Sequence, residues 1–552
     1  MVSLAPLSSF GGRQAEIVEV VVRNGWGYFR NQLSFNGRPE KPSLPLPDVL
    51  VKILVELGPT FVKLGQILST RPDLLGPEYI QALETLQTDV PALPWSDIAP
   101  ILETEFRLPL KQIFAEVEQQ AIAAGSLAQV HRAKLLDGPV VAIKVQRPGI
   151  RQVIESDLEV LRSLAEWFGG DGLGEAYDLP GLVEEFRTSI SGELDFRREA
   201  RNTEQLSHNL LNSSLWHPGQ VVVPRVYSDL TTERVLVLEW IEGIKLTEVD
   251  LPEPRKKSLA ALATQVIMQQ MFLDGFFHAD PHPGNFLYIG DESEDRIALL
   301  DFGMVALLAP RTQQILTDLL VGIVYEQPRQ VAQAIRELGF TQLEIDIRAI
   351  ESSFDKLLRR FYTRPLEEIN MAELLNEALR IPRENKIQMP GTVGLFAKAI
   401  TNVEGIARRL DPLFPFVDVA RPVIERSVQK RLFGPQMLQE TARSTLYLSR
   451  FLIDFPQRLE VLVDRLERSE IGLNWRWREQ NEMQQTVSKA MRRLSLALIS
   501  VGSVVSGSML LSAGSNASST LSPGFTLLWS QGLLGAGISL GVWLMLEFVL
   551  KP

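Results

Sequence analysis

Apolar positions change their spacing several times along this chain. From Leu50 they recur at helical intervals: Phe61, Leu64 and Leu68 share one face, and Lys63 with Gln66 falls on another. Pro72 and Pro77 interrupt the pattern, and a second helix is predicted around Glu78–Thr88. Upstream, Pro42, Pro45 and Pro47 mark a linker, with Asp48 as a helix cap. Strand-like apolar runs then appear at Gln129–Leu136, Val140–Gln146, Gln220–Val226 and Val235–Trp240. Between them, Val153–Phe168 and Leu182–Leu206 read as helices, so this region predicts a small sheet crossed by a helix. From Ser258 onward helical spacing dominates, broken only by a loop and a short strand before Gly303. Leu459, Leu462 and Leu466 form one late amphipathic stripe. The segment Met1–Asn36, with Trp26, Tyr28 and Phe29, suits either a membrane surface or packing on the domain. No internal repeat and no low-complexity tract is found.

Two late runs, Leu494–Leu511 and Phe525–Leu546, carry no charge. At about 1.5 Å per residue each is long enough to cross a hydrocarbon core of about 30 Å. Small residues such as Gly502, Ser506, Gly532 and Gly535 suit close helix contact in lipid. A transmembrane helical hairpin is therefore expected, a buried apolar hairpin being the alternative. Lys489, Arg492 and Arg493 before the first run and Lys551 after the second place both ends, and the large remaining part, on the cytoplasmic or stromal-equivalent side of a membrane. No basic leader with a long apolar run is read at the start, so no secretory signal is expected.

At 552 residues the chain calls for more than one compact unit. A net charge of −11 argues against nucleic acid as a partner. With no cysteine, disulfides, thiolate catalysis and zinc–cysteine sites are excluded. The five histidines are scattered, and the prolines between His278 and His282 rule out a helical zinc pair.

Candidate chemistry concentrates in Phe277-His278-Ala279-Asp280-Pro281-His282-Pro283-Gly284-Asn285-Phe286 and Ala298-Leu299-Leu300-Asp301-Phe302-Gly303. An Asp five residues before an Asn, then Asp-Phe-Gly after a hairpin-sized gap, is how kinases place a base and two Mg²⁺ ligands. Asp280 would be the base, with Asn285 and Asp301 on the metal. Mg²⁺ takes hard oxygen donors and keeps waters, so one amide oxygen, one carboxylate and phosphates suffice. Upstream, Lys144 sits inside the apolar run Val140–Val145. An ammonium there is costly unless it meets anions, and phosphate with a helix carboxylate would answer that need. Taken alone it could equally be a solvent-facing lysine on an edge strand. Glu199 is its natural helix partner. Glu193, Asp195 and Glu199 read as one helix, with Asp195 and Glu199 on a shared face and Lys63 available to Glu193.

Four motifs together, Lys63-Leu64-Gly65-Gln66, Ala123-Ala124-Gly125-Ser126, Glu193-Leu194-Asp195 and His278–Asn285, resemble the signatures of the UbiB/ADCK atypical kinases over roughly residues 45–310. The resemblance implies an α+β, bilobal protein-kinase-like fold. Its parts would be an N-terminal segment (1–47), a helical extension (48–115), an N-lobe (116–243), a helix-rich C-lobe (244–480), and a linker with two spans (481–552). It implies ATP or ADP with Mg²⁺, an alanine-rich loop Ala123–Ser126 over the nucleotide in place of glycines, and Glu239 and Ile241 against adenine. Gly125 departs from that loop, since many members carry alanine there. Lys63 would reach the acids Glu193 and Asp195 and the catalytic centre and, with Gln66, restrain the site toward ATPase or small-molecule work. Expected partners are membrane lipids, prenylquinone precursors or their biosynthetic enzymes, with room for a homo-oligomer. A nucleotide-gated, non-catalytic scaffold is the alternative. A true protein kinase is disfavoured, because Asp301-Phe302-Gly303 is followed within a few residues by Pro310 and a helix, without the long segment that docks peptides.

Overall fold

The computed structural model describes residues 45–433 apart from short internal gaps, parts of 12–24, and short stretches within 496–506 and 530–540. Two compact units divide near residue 440.

The first unit begins with helices α1 (Pro47–Leu57), α2 (Pro59–Leu68) and α3 (Pro77–Glu84). Gly58, at φ 98°, and Pro59 split the single helical pattern in two. Asp48 is not the cap: Leu46 holds that position, Pro47 opens the helix, and Asp48 lies in the first turn, where a carboxylate still favours the dipole. Ile17 and Val20 of the first segment join Ile53, Leu54, Phe61 and Leu83 in one cluster, so this part packs on the domain. Trp26, Tyr28 and Phe29 lie outside the described residues.

Helix α4 (Trp95–Phe106) follows, then β1 (Phe114–Val117), β2 (Ala123–Ala124), β3 (Ala128–Leu135), β4 (Val140–Gln146), α5 (Ile150–Phe168), α6 (Leu179–Glu193), α7 (Phe196–Leu211), β5 (Val221–Val222) and β6 (Val235–Glu239). The antiparallel sheet runs β1-β3-β4-β6, with β2 beside β3. Period-two alternation turns Val141, Ile143 and Val145 onto Ile98 and Leu102 of α4, which leaves Lys144 on the opposite face. The helix predicted through 182–206 is two helices. Asp195 ends the break as the N-cap of α7, its carboxylate accepting from Arg197 N at 3.1 Å. Asp195 and Glu199 therefore do not share a helix face as the spacing had suggested. The strand expected over 220–226 shrinks to Val221–Val222, with Val226 bridging Leu238.

The helical half contains β7 (Ile244–Lys245), α8 (Glu253–Gln269), β8 (Phe276–His278), β9 (Phe286–Tyr288), β10 (Ile297–Leu299) and β11 (Val305–Leu307). It continues through α9 (Pro310–Val324), α10 (Pro328–Leu338), α11 (Ile347–Tyr362), α12 (Met371–Glu384), α13 (Gly391–Leu410) and α14 (Phe416–Phe433). One large core gathers Ala263 and Ile267 of α8, Phe396 and Ile400 of α13, and Val423 of α14. Short ladders, β10 against β9 and β11 against β8, hold the loops between them.

The bilobal α+β arrangement stands, but the transmembrane hairpin is corrected. Among the described residues no helix is long and apolar enough to cross a membrane. Of the later run, residues 530–540 are described and are helical. There the buried Ser500 hydroxyl donates to the Gly537 carbonyl at 2.7 Å. The rest of both apolar runs, and the stripe Leu459, Leu462 and Leu466, lie outside the described residues.

Gly65 has a packing reason. A Cβ there would run into Leu86 Cδ1 and lie 2.8 Å from Leu54 Cδ1. Gly65→Val is therefore expected to cost about 1–3 kcal/mol by overpacking α2 against α1 and the end of α3. Urea unfolding checks it, and an unchanged midpoint would contradict the close approach.

Candidate active site

Helix α7 and the Asp-Phe-Gly segment converge on Lys144 of β4. Its ammonium donates to Glu199 Oε1 at 2.8 Å and Oε2 at 3.0 Å, and lies 3.4 Å from Asp301 Oδ1. The Phe196 ring faces it at 5.4 Å. Buried Gln146, two residues on, donates to the carbonyls of Leu194 at 2.7 Å and Glu233 at 3.1 Å, which pins the break between α6 and α7 to the sheet. Asn202, on α7, donates to the Phe302 carbonyl at 3.2 Å. Strand, helix and Asp-Phe-Gly segment are thus tied in one place.

Asp301 has left-handed backbone, φ 54°, which Asp tolerates better than most residues. Its Oδ1 accepts from Gly303 N at 3.2 Å, an Asx-type turn that aims the carboxylate. A Cβ on Gly303 would crowd that oxygen at 3.2 Å and Glu199 Oε2 at 3.4 Å, so the glycine permits the approach. Lys144 beside it holds the Asp301 carboxyl down at about 2. Burial pushes Glu199 up to about 7 despite the same ammonium, with Asp301 adding repulsion. For Lys144, burial works against the charge, but Asp301 and Glu199 together raise its pKa.

Lys63 enters from α2. Its Nζ lies 2.7 Å from Glu193 Oε2, with both side chains largely buried. Burial again works against the charge, and Glu193, Asp301 and Asp280 raise the Lys63 pKa over it. Glu193 Oε1 is buried without a protein partner. A cavity of about 550 Å³ opens here, lined by Lys63, Ala123, Ala124, Gly125, Ser126, Lys144, Glu193, Glu199 and Asp301, among others. The loop is a tight hairpin in which Gly125 N donates to Ala128 O at 2.8 Å and Arg147 braces the Gly125 carbonyl at 2.9 Å. A Cβ on Gly125 would meet only Ala128 O, at 3.6 Å, so alanine fits there too.

Other predicted residues lie apart from this cavity. Gln66 donates to the Leu86 carbonyl at 3.0 Å, stitching α2 to the end of α3. Glu239 accepts from Arg225 N at 3.1 Å, and neither it nor Ile241 lines the cavity. Asp195 is engaged as the cap already described.

The catalytic-type loop lies between β8 and β9. Buried His278 accepts from Asp280 N at 3.2 Å through Nδ1, while its Nε2 faces the Leu300 carbonyl at 3.3 Å. That tautomer is neutral, and burial lowers the His278 pKa accordingly. Asn285 Nδ2 donates to the Asp280 carbonyl at 3.2 Å, and Leu300 N donates to the Asn285 carbonyl at 2.8 Å. The amide oxygen of Asn285 and the ionised Asp301 are left as hard donors, a set that fits Mg²⁺ completed by phosphates and water. Among the described residues no group of three or more His, Cys, Asp or Glu could hold a metal.

Sequence reasoning missed Lys398 and Asn402 of α13. Lys398 Nζ lies 3.1 Å and Asn402 Nδ2 3.2 Å from Asp280 Oδ1. They are more than a hundred residues downstream of the loop, inside an ordinary amphipathic helix, and no local signal marks them.

Comparison with known proteins places this geometry in a class. The ABC1 atypical kinase-like domain matches residues 85–335, and the UbiB helical domain matches residues 354–415. An uncharacterised protein of Synechocystis sp. is 44% identical over 407 residues, covering 72% of this chain and 99% of the relative. A "Probable protein kinase UbiB" of Marinobacter nauticus is 33% identical over 487 residues, covering 85% of this chain and 86% of the relative. The chloroplastic "Protein ACTIVITY OF BC1 COMPLEX KINASE 7" of Arabidopsis thaliana is 32% identical, covering 88% of this chain and 69% of the relative. The chain belongs to the ABC1/UbiB family of atypical kinase-like proteins.

Charge at Lys144 sets a pH-dependent prediction. The folded chain holds the Glu199 proton more tightly than the unfolded chain. This carboxyl therefore favours the fold fully below its ordinary 4.5, and that contribution fades as pH rises through about 7. Lys144→Met removes the cation that offsets it. The variant is expected to lose about 3–5 kcal/mol at pH 8 and clearly less at pH 6, where Glu199 takes a proton. Melting at the two pH values checks it, and an equal loss at both would contradict the pairing.

Proposed function

We propose that this protein is a Mg²⁺-dependent ATPase or small-molecule kinase that supports prenylquinone synthesis. The observation that carries the reading is the convergence of Lys144, Glu199 and Asp301 on a cavity beside the loop bearing Asp280 and Asn285. Asn285 and Asp301 would hold the metal, which supplies charge neutralisation at the phosphates. Lys144, oriented by Glu199, would hold the phosphate chain, and Ala123–Ser126 would close over it. Asp280 would orient the attacking hydroxyl or water and take its proton. Lys63, paired with Glu193, lines this space and takes up room in it, which favours a small acceptor or water over a peptide. Only residues 304–309 separate Gly303 from α9, which leaves little platform for a peptide. Membership in the UbiB line and the resemblance to its motifs support the assignment to quinone chemistry.

Phosphate release by the purified chain tests the reading. Asp280→Asn is expected to lower turnover by about 10²-fold or more. Asp301→Asn should abolish the Mg²⁺ dependence. Lys63→Ala should weaken Mg-ADP binding, because it removes a cation and leaves the Glu193 carboxylate facing the cavity. Nucleotide binding without turnover in the unaltered chain would favour a nucleotide-gated scaffold instead. No nucleotide binding at all would contradict both.

A further inference from the structure

We infer that Lys398 and Asn402 of α13 are positioning residues for the Asp280 carboxylate, so that the UbiB helical domain completes the catalytic loop. The inference rests on the reading of Asp280 above and goes beyond it. Between His278 and Asn285 the loop carries no Lys or Arg. Its acid is instead met from a distant helix. Both donors reach the same oxygen, Lys398 Nζ at 3.1 Å and Asn402 Nδ2 at 3.2 Å. One helical turn apart, they stand on one face of α13. The other face is clamped in the core by Phe396, Ile400 and Val403, all at most 1% exposed. Two donors from one packed helix hold Oδ1, which leaves Oδ2 for a substrate hydroxyl or water.

The ammonium acts at close range because it is poorly hydrated: the Lys398 side chain is 18% exposed, against 32% for Asp280. Other charges face the pair. Burial raises the Glu84 carboxyl at the end of α3, and the charge of Lys398 partly offsets that rise. Lys63 also feels Asp280. The direct contact of Lys398 is with Asp280. A purely structural staple would use the same contacts, so the test must separate the two roles.

The full chain is assayed for phosphate release, Mg-ADP affinity and melting temperature. Lys398→Met is expected to lower kcat by about 10–100-fold, the range a misplaced catalytic group costs. The KM for ATP, Mg-ADP affinity and melting temperature should stay close to those of the unaltered chain. Lys398→Arg should recover most of kcat, and Asn402→Asp, which sets a second carboxylate against Asp280, should lower it. An unchanged kcat in Lys398→Met would overturn the inference. So would a loss of kcat shared in proportion by Mg-ADP affinity and melting temperature, or an arginine variant no better than methionine. If the unaltered chain shows no turnover sensitive to Asp280→Asn, the reading of the loop itself fails and this inference falls with it.

Discussion

One ammonium organises the centre of this protein. Lys144 stands mid-strand in an apolar run where a charge is tolerated only if anions meet it. Glu199 on α7 and Asp301 on the loop after β10 do so at 2.8 and 3.4 Å. Those contacts fix where α7 lies across the sheet and where the Asp-Phe-Gly segment meets the cavity. The surrounding bonds act in the same direction: Gln146 holds the turn into α7, and Asn202 on α7 holds the Phe302 carbonyl. Burial raises Glu199 while Lys144 keeps Asp301 ionised, so the two acids differ in proton affinity within one cluster.

The helical parts on either side of the sheet complete the centre. From the N-terminal side, α2 brings Lys63 to Glu193, and Gly65 lets α2 approach α1 and the end of α3. From the C-terminal side, α13 brings Lys398 and Asn402 to Asp280. Arg71 reaches Glu185 on α6, and Arg383 on α12 donates to the Leu75 carbonyl, so the extension is tied to both halves of the unit. The acid of the loop is thus held by groups from outside the segment that carries it.

Much of this was legible because it is local. The β-branched run after a turn predicts Val140–Gln146 with its observed bounds. The pairs Lys144–Glu199 and Lys63–Glu193 follow from motif order together with the cost of a buried charge. What was not legible depends on tertiary context. Asp195 caps a helix rather than sharing one with Glu199, because the chain turns at Leu194 where Gln146 takes its carbonyl. Helix α4 was missed, although Ile98 and Leu102 cover the back of the sheet. Gln66 and Glu239 spend their polar ends on backbone groups away from the cavity, which spacing alone does not reveal. The charge-free runs near the C-terminus met the length rule for membrane spans, yet among the described residues no helix satisfies it.

A crystal structure of the full chain with Mg²⁺ and ADP tests the central claim most directly. The account predicts the metal bound by the Asn285 side-chain oxygen and an Asp301 carboxylate oxygen at about 2.0–2.1 Å, with the phosphates meeting Lys144. A nucleotide seated elsewhere, or a metal held without either residue, would contradict it.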